Sequence, residues 1–143
     1  MPKQHLEHIV SKWLTDNKYW YLKLQVIPLA HKTMPADFIV LTNNGKYLIE
    51  CKEVKCDEKG FGRFDLSRLS QLNDLLYFNN MYKDTEAYVF ILFWNNRLDK
   101  SILKIFRPDD IKLKMDIGLK SIASNEFLNN NIIINKSIDF DLF

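Results

Sequence analysis

Two runs rich in β-branched and aromatic residues, Asp37-Phe-Ile-Val-Leu41 and Lys46-Tyr-Leu-Ile-Glu-Cys-Lys52, stand on either side of Asn-Asn-Gly. Few arrangements other than a β-hairpin accommodate this pattern, because glycine after two asparagines supplies the positive φ of a tight turn between strands. Side chains alternate along a strand, so Glu50 and Lys52 share a face. A two-residue turn at Asn44-Gly45 would pair Asn43 with Lys46, Ile39 with Glu50 and Asp37 with Lys52. Directly opposed residues point the same way, so Asp37, Glu50 and Lys52 are expected to converge. Two carboxylates and an ammonium on a half-buried strand pair are costly unless something uses them.

Metal-assisted phosphodiester hydrolysis is one such use. Two carboxylates suit Mg²⁺, a hard cation that keeps several waters and takes phosphate oxygens as further ligands. A metal so held lowers the pKa of bound water and polarises the phosphate. Lys52 would hold the attacking hydroxide and offset charge on the phosphate oxygens. The peptide carbonyl of Cys51 could complete the coordination shell. The same spacing also arises by chance, and an edge-strand Glu/Lys pair is commonly a solvated surface.

The chain of 143 residues is expected to form a single domain, residues 1–143, with 47% hydrophobic content sufficient for a real core. A net charge of +2 means that nucleic-acid binding would need a local basic surface rather than a global excess. Cys51 and Cys56 are too few for a disulfide framework and make a poor zinc site, which points to a reducing compartment. The amino-terminal segment is amphipathic rather than a signal core, and no apolar run approaches membrane-spanning length. An intracellular, soluble protein with no membrane partner is the expectation.

Taken in order, residues 4–17 read as a helix with Leu6, Ile9, Val10, Trp13 and Leu14 on its apolar stripe and Glu7 at the border. His5 and His8 fall on its polar side. Residues 19–31 read as a long strand with inward alternation at Leu22, Leu24 and Val26, ended or placed at an edge by Pro28. His31, Lys32 and Thr33 lead to the hairpin, and Lys32 or Thr33 could touch a substrate phosphate. Residues 53–64 read as a mobile loop anchored by Phe61 and Phe64, offering Lys59 and Arg63 to a substrate. Asp65 or Ser67 can cap a helix to about Asn80, with Leu69, Leu72, Leu75 and Leu76 buried and Arg68 beside Gln71. The Gln71 amide could orient water or a phosphate oxygen. Residues 86–94 are the most apolar run and suit a central strand. Residues 101–106 form a further strand, Pro108 starts a short helix, residues 121–128 suit another, and residues 132–134 a small terminal strand. Arg97, Lys100, Lys104, Arg107, Lys112 and Lys114 make this half locally basic.

This order, α-β-β-β-α-β with Asp37 on one strand, Glu50-x-Lys52 on the next and Gln71 on the following helix, resembles the PD-(D/E)XK nuclease superfamily. Glu7 stands where many members carry a first-helix acid. Phe64-Asp-Leu-Ser-Arg-Leu-Ser-Gln71, followed by Ala87-Tyr-Val-Phe-Ile-Leu-Phe93, is most similar to the RecU-type Holliday junction resolvases. The resemblance covers residues 4–106. It departs from that group in having Pro35 two residues before Asp37, and in being shorter, with no stretch that reads as their protruding stalk. A compact phage, viral or archaeal-style resolvase fits the size better.

The resemblance implies an α/β fold with a restriction-endonuclease-like core, a central mixed sheet flanked by helices. It implies an Mg²⁺-dependent endonuclease, with Mn²⁺ able to substitute, acting on DNA, probable branched substrates included, as a homodimer. Glu7, Asp37 and Glu50 would hold the metal, Lys52 would activate water, Gln71 would position it, and Lys32, Thr33, Arg63 and Arg68 would contact nucleic acid. The alternatives are another nuclease of the superfamily (repair, restriction-like or RNA-cleaving), a non-catalytic nucleic-acid-binding module of the same fold, and a plain α/β domain with surface ion pairs.

Overall fold

The computed structural model describes residues 5–24, 36–95, 101–124 and 131–134. Their elements run α1 (His5–Asp16), β1 (Trp20–Lys23), β2 (Phe38–Thr42), β3 (Gly45–Lys55), β4 (Arg63–Asp65), a 3-10 turn (Leu66–Arg68), α2 (Leu72–Met81), β5 (Thr85–Trp94), β6 (Ser101–Phe106), α3 (Pro108–Asp116), β7 (Ser121–Ala123) and β8 (Asn131–Ile134). A six-stranded sheet is ordered β1-β2-β3-β5-β6-β8, and β4 pairs with β7 in a small second sheet. Only β3 and β5 run parallel among the described pairs. The fold is therefore α/β with a central mixed sheet flanked by helices, as expected.

Helix α1 forms because its apolar residues recur at helical spacing. Leu6, Val10 and Leu14 are completely buried, and Ile9 and Trp13 nearly so. It ends at Lys18, whose φ of 60° is left-handed, while the Asn17 side chain donates to the Trp13 carbonyl at 2.8 Å. These residues cover one sheet face through Phe38, Val40, Ile49, Phe90 and Leu103. The opposite face, through Leu48, Val89, Ile91 and Phe93, packs against Leu72 and Leu75 of α2, Ile111 of α3, and Phe64 and Ile122 of the small sheet. Two facing layers thus bury the two sides of β5, which explains why its sequence is a continuous apolar run rather than an alternating one.

The hairpin turn lies over Asn43 and Asn44, with Thr42 paired to Gly45. Thr42 Oγ1 accepts from the Asn44 amide (3.1 Å) and donates to the Gly45 carbonyl (3.2 Å). Gly45 carries the positive φ, 151°, and a Cβ there would stand 2.4 Å from the Asp84 carbonyl oxygen. That close approach lets Lys46 N–H bond to Asp84 and starts the β3–β5 pairing.

Several expectations are corrected. The first strand's described part is Trp20–Lys23, and its inward residue is Tyr21, not Leu22, which is 51% exposed. Aromatic bulk decided the face: Tyr21 meets Phe38 edge-on at 6.0 Å and its hydroxyl bonds Ser11 and Thr15 on α1. Strand β3 runs to Lys55, so the expected loop is shorter, and Arg63–Asp65 within it is a strand. The expected helix over residues 65–80 is divided into the 3-10 turn, which Asp65 caps through Ser67 N–H at 2.9 Å, and α2. Residues 121–123 are strand β7 rather than helix, because the segment pairs with β4 through Phe64 and Ile122. Residues 25–35, with His31, Lys32, Thr33 and both Pro28 and Pro35, lie outside the described residues, as do Arg97 and Lys100.

Candidate active site

Phe38 pairs with Ile49, so Asp37, just before β2, lies at the level of Ile49 and Glu50 on β3. Asp37 was expected opposite Lys52, so the register differs by two residues, the turn lying one residue earlier than expected. A one-residue slip would have turned the carboxylates to opposite faces; an even shift leaves the face unchanged. Asp37 is fixed by its backbone and its side chain together. Its N–H donates to the Ile49 carbonyl (3.0 Å) and its carbonyl accepts from Leu24 N–H (2.7 Å). Its Oδ2 accepts from Cys51 N–H at 2.7 Å. The N–H and C=O of one residue point to the same strand edge, so the Cys51 carbonyl also faces the β2 side.

Helix α1 brings Glu7 to the same place from the other layer. Asp37 is within hydrogen-bonding reach of both Glu7 and Glu50, which carboxyls can use only by sharing protons. Glu50 is 3% exposed. Burial, then the hydrogen bond and charge of Asp37, push its carboxyl up to about 9, against the opposing pull of Lys52. Glu7 is raised by burial and by Asp37, and Lys23 partly offsets this. Oε2 of Glu7 is buried without a hydrogen-bond donor among the described residues. These acids are short of positive charge, and the fold holds them together regardless.

Lys52 lies two residues beyond Glu50 on the same face, and the only interaction it makes among the described residues is electrostatic, with Glu50. Gln71 is the N-cap residue of α2 rather than part of a first turn, and its Oε1 accepts from Ser70 Oγ at 3.0 Å. No described hydrogen bond joins it to the acids. Arg68 is on the 3-10 turn and so is not helix-stacked on Gln71. Its guanidinium donates to the Glu53 carbonyl (3.1 Å) and covers the Phe64 ring at 4.9 Å, placing it beside β3 just past Lys52. Arg63 instead donates to Ser121 across the β4–β7 pair at 3.2 Å. His8 is exposed on α1. The Cys51 thiol packs toward the α1 layer, and burial with the neighbouring acids raises its pKa well above the usual thiol range, away from thiolate chemistry.

Two residues near the acids were missed in the sequence. Lys23 Nζ lies 3.9 Å from Glu7 Oε2, and Glu53 adds negative field at Glu7. Neither carries a local signal. Lys23 reaches the site because β1 pairs with β2, and Glu53 because strand alternation turns it toward α1.

Carboxylate oxygens are the donors that a hard divalent cation takes. Asp37 lies within reach of both Glu7 and Glu50, one Glu7 oxygen is buried without a donor, and burial with the bond and charge of Asp37 raises Glu50 despite Lys52. Among the described residues no three His, Cys, Asp or Glu side chains are grouped so as to hold a metal ion. Mg²⁺ needs fewer, since it retains waters and takes only one or two carboxylates with substrate oxygens.

No protein-family model matches the chain. No curated protein matches it either. Among solved structures, the chain is similar to Hjc, a Holliday junction resolvase from the archaeal hyperthermophile Archaeoglobus fulgidus, at 15% identity and a TM-score of 0.46, over 74% of this chain and 75% of that one. No helix among the described residues is long and apolar enough to cross a membrane.

Proposed function

We propose that the protein is a metal-dependent nuclease that hydrolyses DNA phosphodiesters, with a four-way junction as its substrate. The observation that carries the reading is Glu50: a carboxyl 3% exposed, within hydrogen-bonding reach of Asp37 and near Glu7, with Lys52 on its own face. A merely structural role would satisfy so buried an acid with donors. Here its nearest partners are other acids, which is an arrangement that a cation completes.

Glu7, Asp37 and Glu50 would hold Mg²⁺, or Mn²⁺ in its place, with the Cys51 carbonyl as a further oxygen. The ion would lower the pKa of a water and polarise a phosphate oxygen. Lys52 orients the attacking water and balances the charge that grows on the phosphate oxygens. The amide N–H of Cys51 keeps the Asp37 carboxylate aimed at the site, so ordering Asp37 costs nothing further at the moment of reaction. Arg68, held beside the end of β3, supplies a phosphate contact, and Arg63 a more remote one on the small sheet. Gln71 would exchange its Ser70 hydrogen bond for the water or a phosphate oxygen. Lys32 and Thr33 belong to the same proposed contact set. Two symmetric cuts across a junction require two such centres, hence a homodimer.

The test is cleavage of a labelled four-way junction beside matched duplex, single-stranded DNA and RNA, with Mg²⁺ or EDTA, for wild type and Asp37→Asn. Symmetric nicks confined to the junction, dependent on metal and on Asp37, are the expected result. Cleavage of the other DNA substrates would retain the nuclease and discard the junction. Cleavage of RNA alone would move the substrate class. Binding without cleavage would reduce the protein to a nucleic-acid-binding module.

A further inference from the structure

Lys23 sits on the edge strand β1, opposite Phe38 and so one position from Asp37. It shares a face with Tyr21, the α1 side, whereas Lys52 follows Glu50 and Leu48 on the α2 side. The acids are therefore flanked by one lysine on each side of the sheet. The two lysines belong to β1 and β3, two strand spacings apart, and Lys52 lies three residues beyond Ile49, which is level with Lys23, so their Cα atoms stand about 14 Å apart. That separation is too wide for a single phosphate and spans more than one step along a nucleic-acid strand. Lys23 is 47% exposed, and its 3.9 Å approach to Glu7 is too long for a hydrogen bond. An ion pair of that kind holds the ammonium weakly, leaving it available to another anion.

Resting on the nuclease reading, we infer that Lys23 is a substrate-binding residue that grips a backbone phosphate other than the one cleaved. The chain would then cross the end of the sheet from the α2 side, at Lys52, to the α1 side, at Lys23. The contact is to phosphate and reads no base, so it acts equally on every sequence. Once Glu7 holds a cation, its pull on Lys23 falls and the ammonium turns to the phosphate.

The experiment measures affinity for a labelled four-way junction as a function of salt, with Ca²⁺ present, in the Asp37→Asn protein and in the same protein carrying Lys23→Met or Lys23→Arg. One lost phosphate contact lowers the slope of log K against log salt by about 0.9. Lys23→Met is expected to show that reduction with several-fold weaker binding at low salt, and Lys23→Arg to restore both. A thermal melt of each variant separates folding from binding. A folded Lys23→Met protein with unchanged slope and affinity overturns the inference and confines Lys23 to offsetting Glu7. If neither wild type nor Asp37→Asn binds any nucleic acid, the nuclease reading itself fails, which is a different result.

Discussion

Two carboxylate clusters share strands β3 and β5 and differ in how they are completed. At one, Glu86 accepts from the Tyr88 hydroxyl (2.7 Å) and from Arg107 (3.2 Å), with the guanidinium also 5.8 Å from the Tyr88 ring centre. Tyr47 stacks on Tyr88 beneath it. Every charge there has an opposite charge or a donor, and the ion pair is half-exposed. At the other, Glu50 is buried and its nearest polar partner is Asp37, a second acid. The first cluster finishes the structure by itself. The second is held in place by backbone pairing and two apolar layers, and Lys23 and Lys52 leave its three acids incompletely balanced. That contrast separates a site from a surface ion pair better than the mere presence of acids does.

The contrast breaks most visibly at Asp37. Asp37→Asn should lower cleavage by about 10³-fold or more, the scale of removing one well-placed electrostatic group from an active site. The same change should keep or raise the melting temperature, since the amide oxygen still accepts from Cys51 and a repulsive charge is gone. A parallel loss of activity and fold would instead make Asp37 structural.

A smaller effect concerns pH. The folded, metal-free protein keeps a proton on Glu50 up to about 9, while the unfolded chain releases it near 4.5. The unfolded state then binds fewer protons, so this group's contribution to stability declines as pH rises from about 4.5 to about 9. Melting curves across that window should show the decline in wild type, and Glu50→Gln should flatten it. Added Mg²⁺ should raise the melting temperature of wild type at pH 8 and do little for Glu50→Gln. A wild-type curve that is flat without metal would mean that Glu50 is already compensated.

At the completed cluster the changes should be slight. Tyr88→Phe removes the donor to Glu86 from a ring that is 6% exposed, and should cost about 1 kcal/mol in chemical denaturation. The Tyr88 phenol, raised to about 12 by burial and Glu86, should be the late component of an ultraviolet tyrosine titration. Arg107→Met should cost less than about 1 kcal/mol, because both partners of the pair are well exposed. Cleavage should be unaffected by either. Lost activity in Arg107→Met would join the two clusters into one functional surface.

Legibility of the site varied with the range of the interactions behind it. Glu50 and Lys52 share a face by alternation alone, whereas the partner positions on β2 differ by two residues from those expected. Residue spacing sets the face; turn geometry sets the partner. Asp84, unremarkable in the sequence, meets Gly45 so closely that the turn must sit over Asn43-Asn44. Gln71 was legible as a helix residue but not as an N-cap, because the 3-10 turn before it depends on Asp65 capping and on β4 pairing with β7. The segment 121–123 has no strong periodicity, and its strand exists because β4 offers an edge to it.

The sequence by itself determined the elements whose periodicity is local: α1, the hairpin, the apolar β5, β6 and the start of α3 at Pro108. It also determined that acids and a lysine would share a strand face, since that follows from a repeat of two. Only the tertiary structure decided that Glu7 reaches Asp37 from a separate layer, that Lys23 stands beside Glu7, and that Glu50 is sealed from water. Each of these depends on which elements pack together. Burial and electrostatic coupling act through space between groups distant in the chain, so no stretch of sequence contains them.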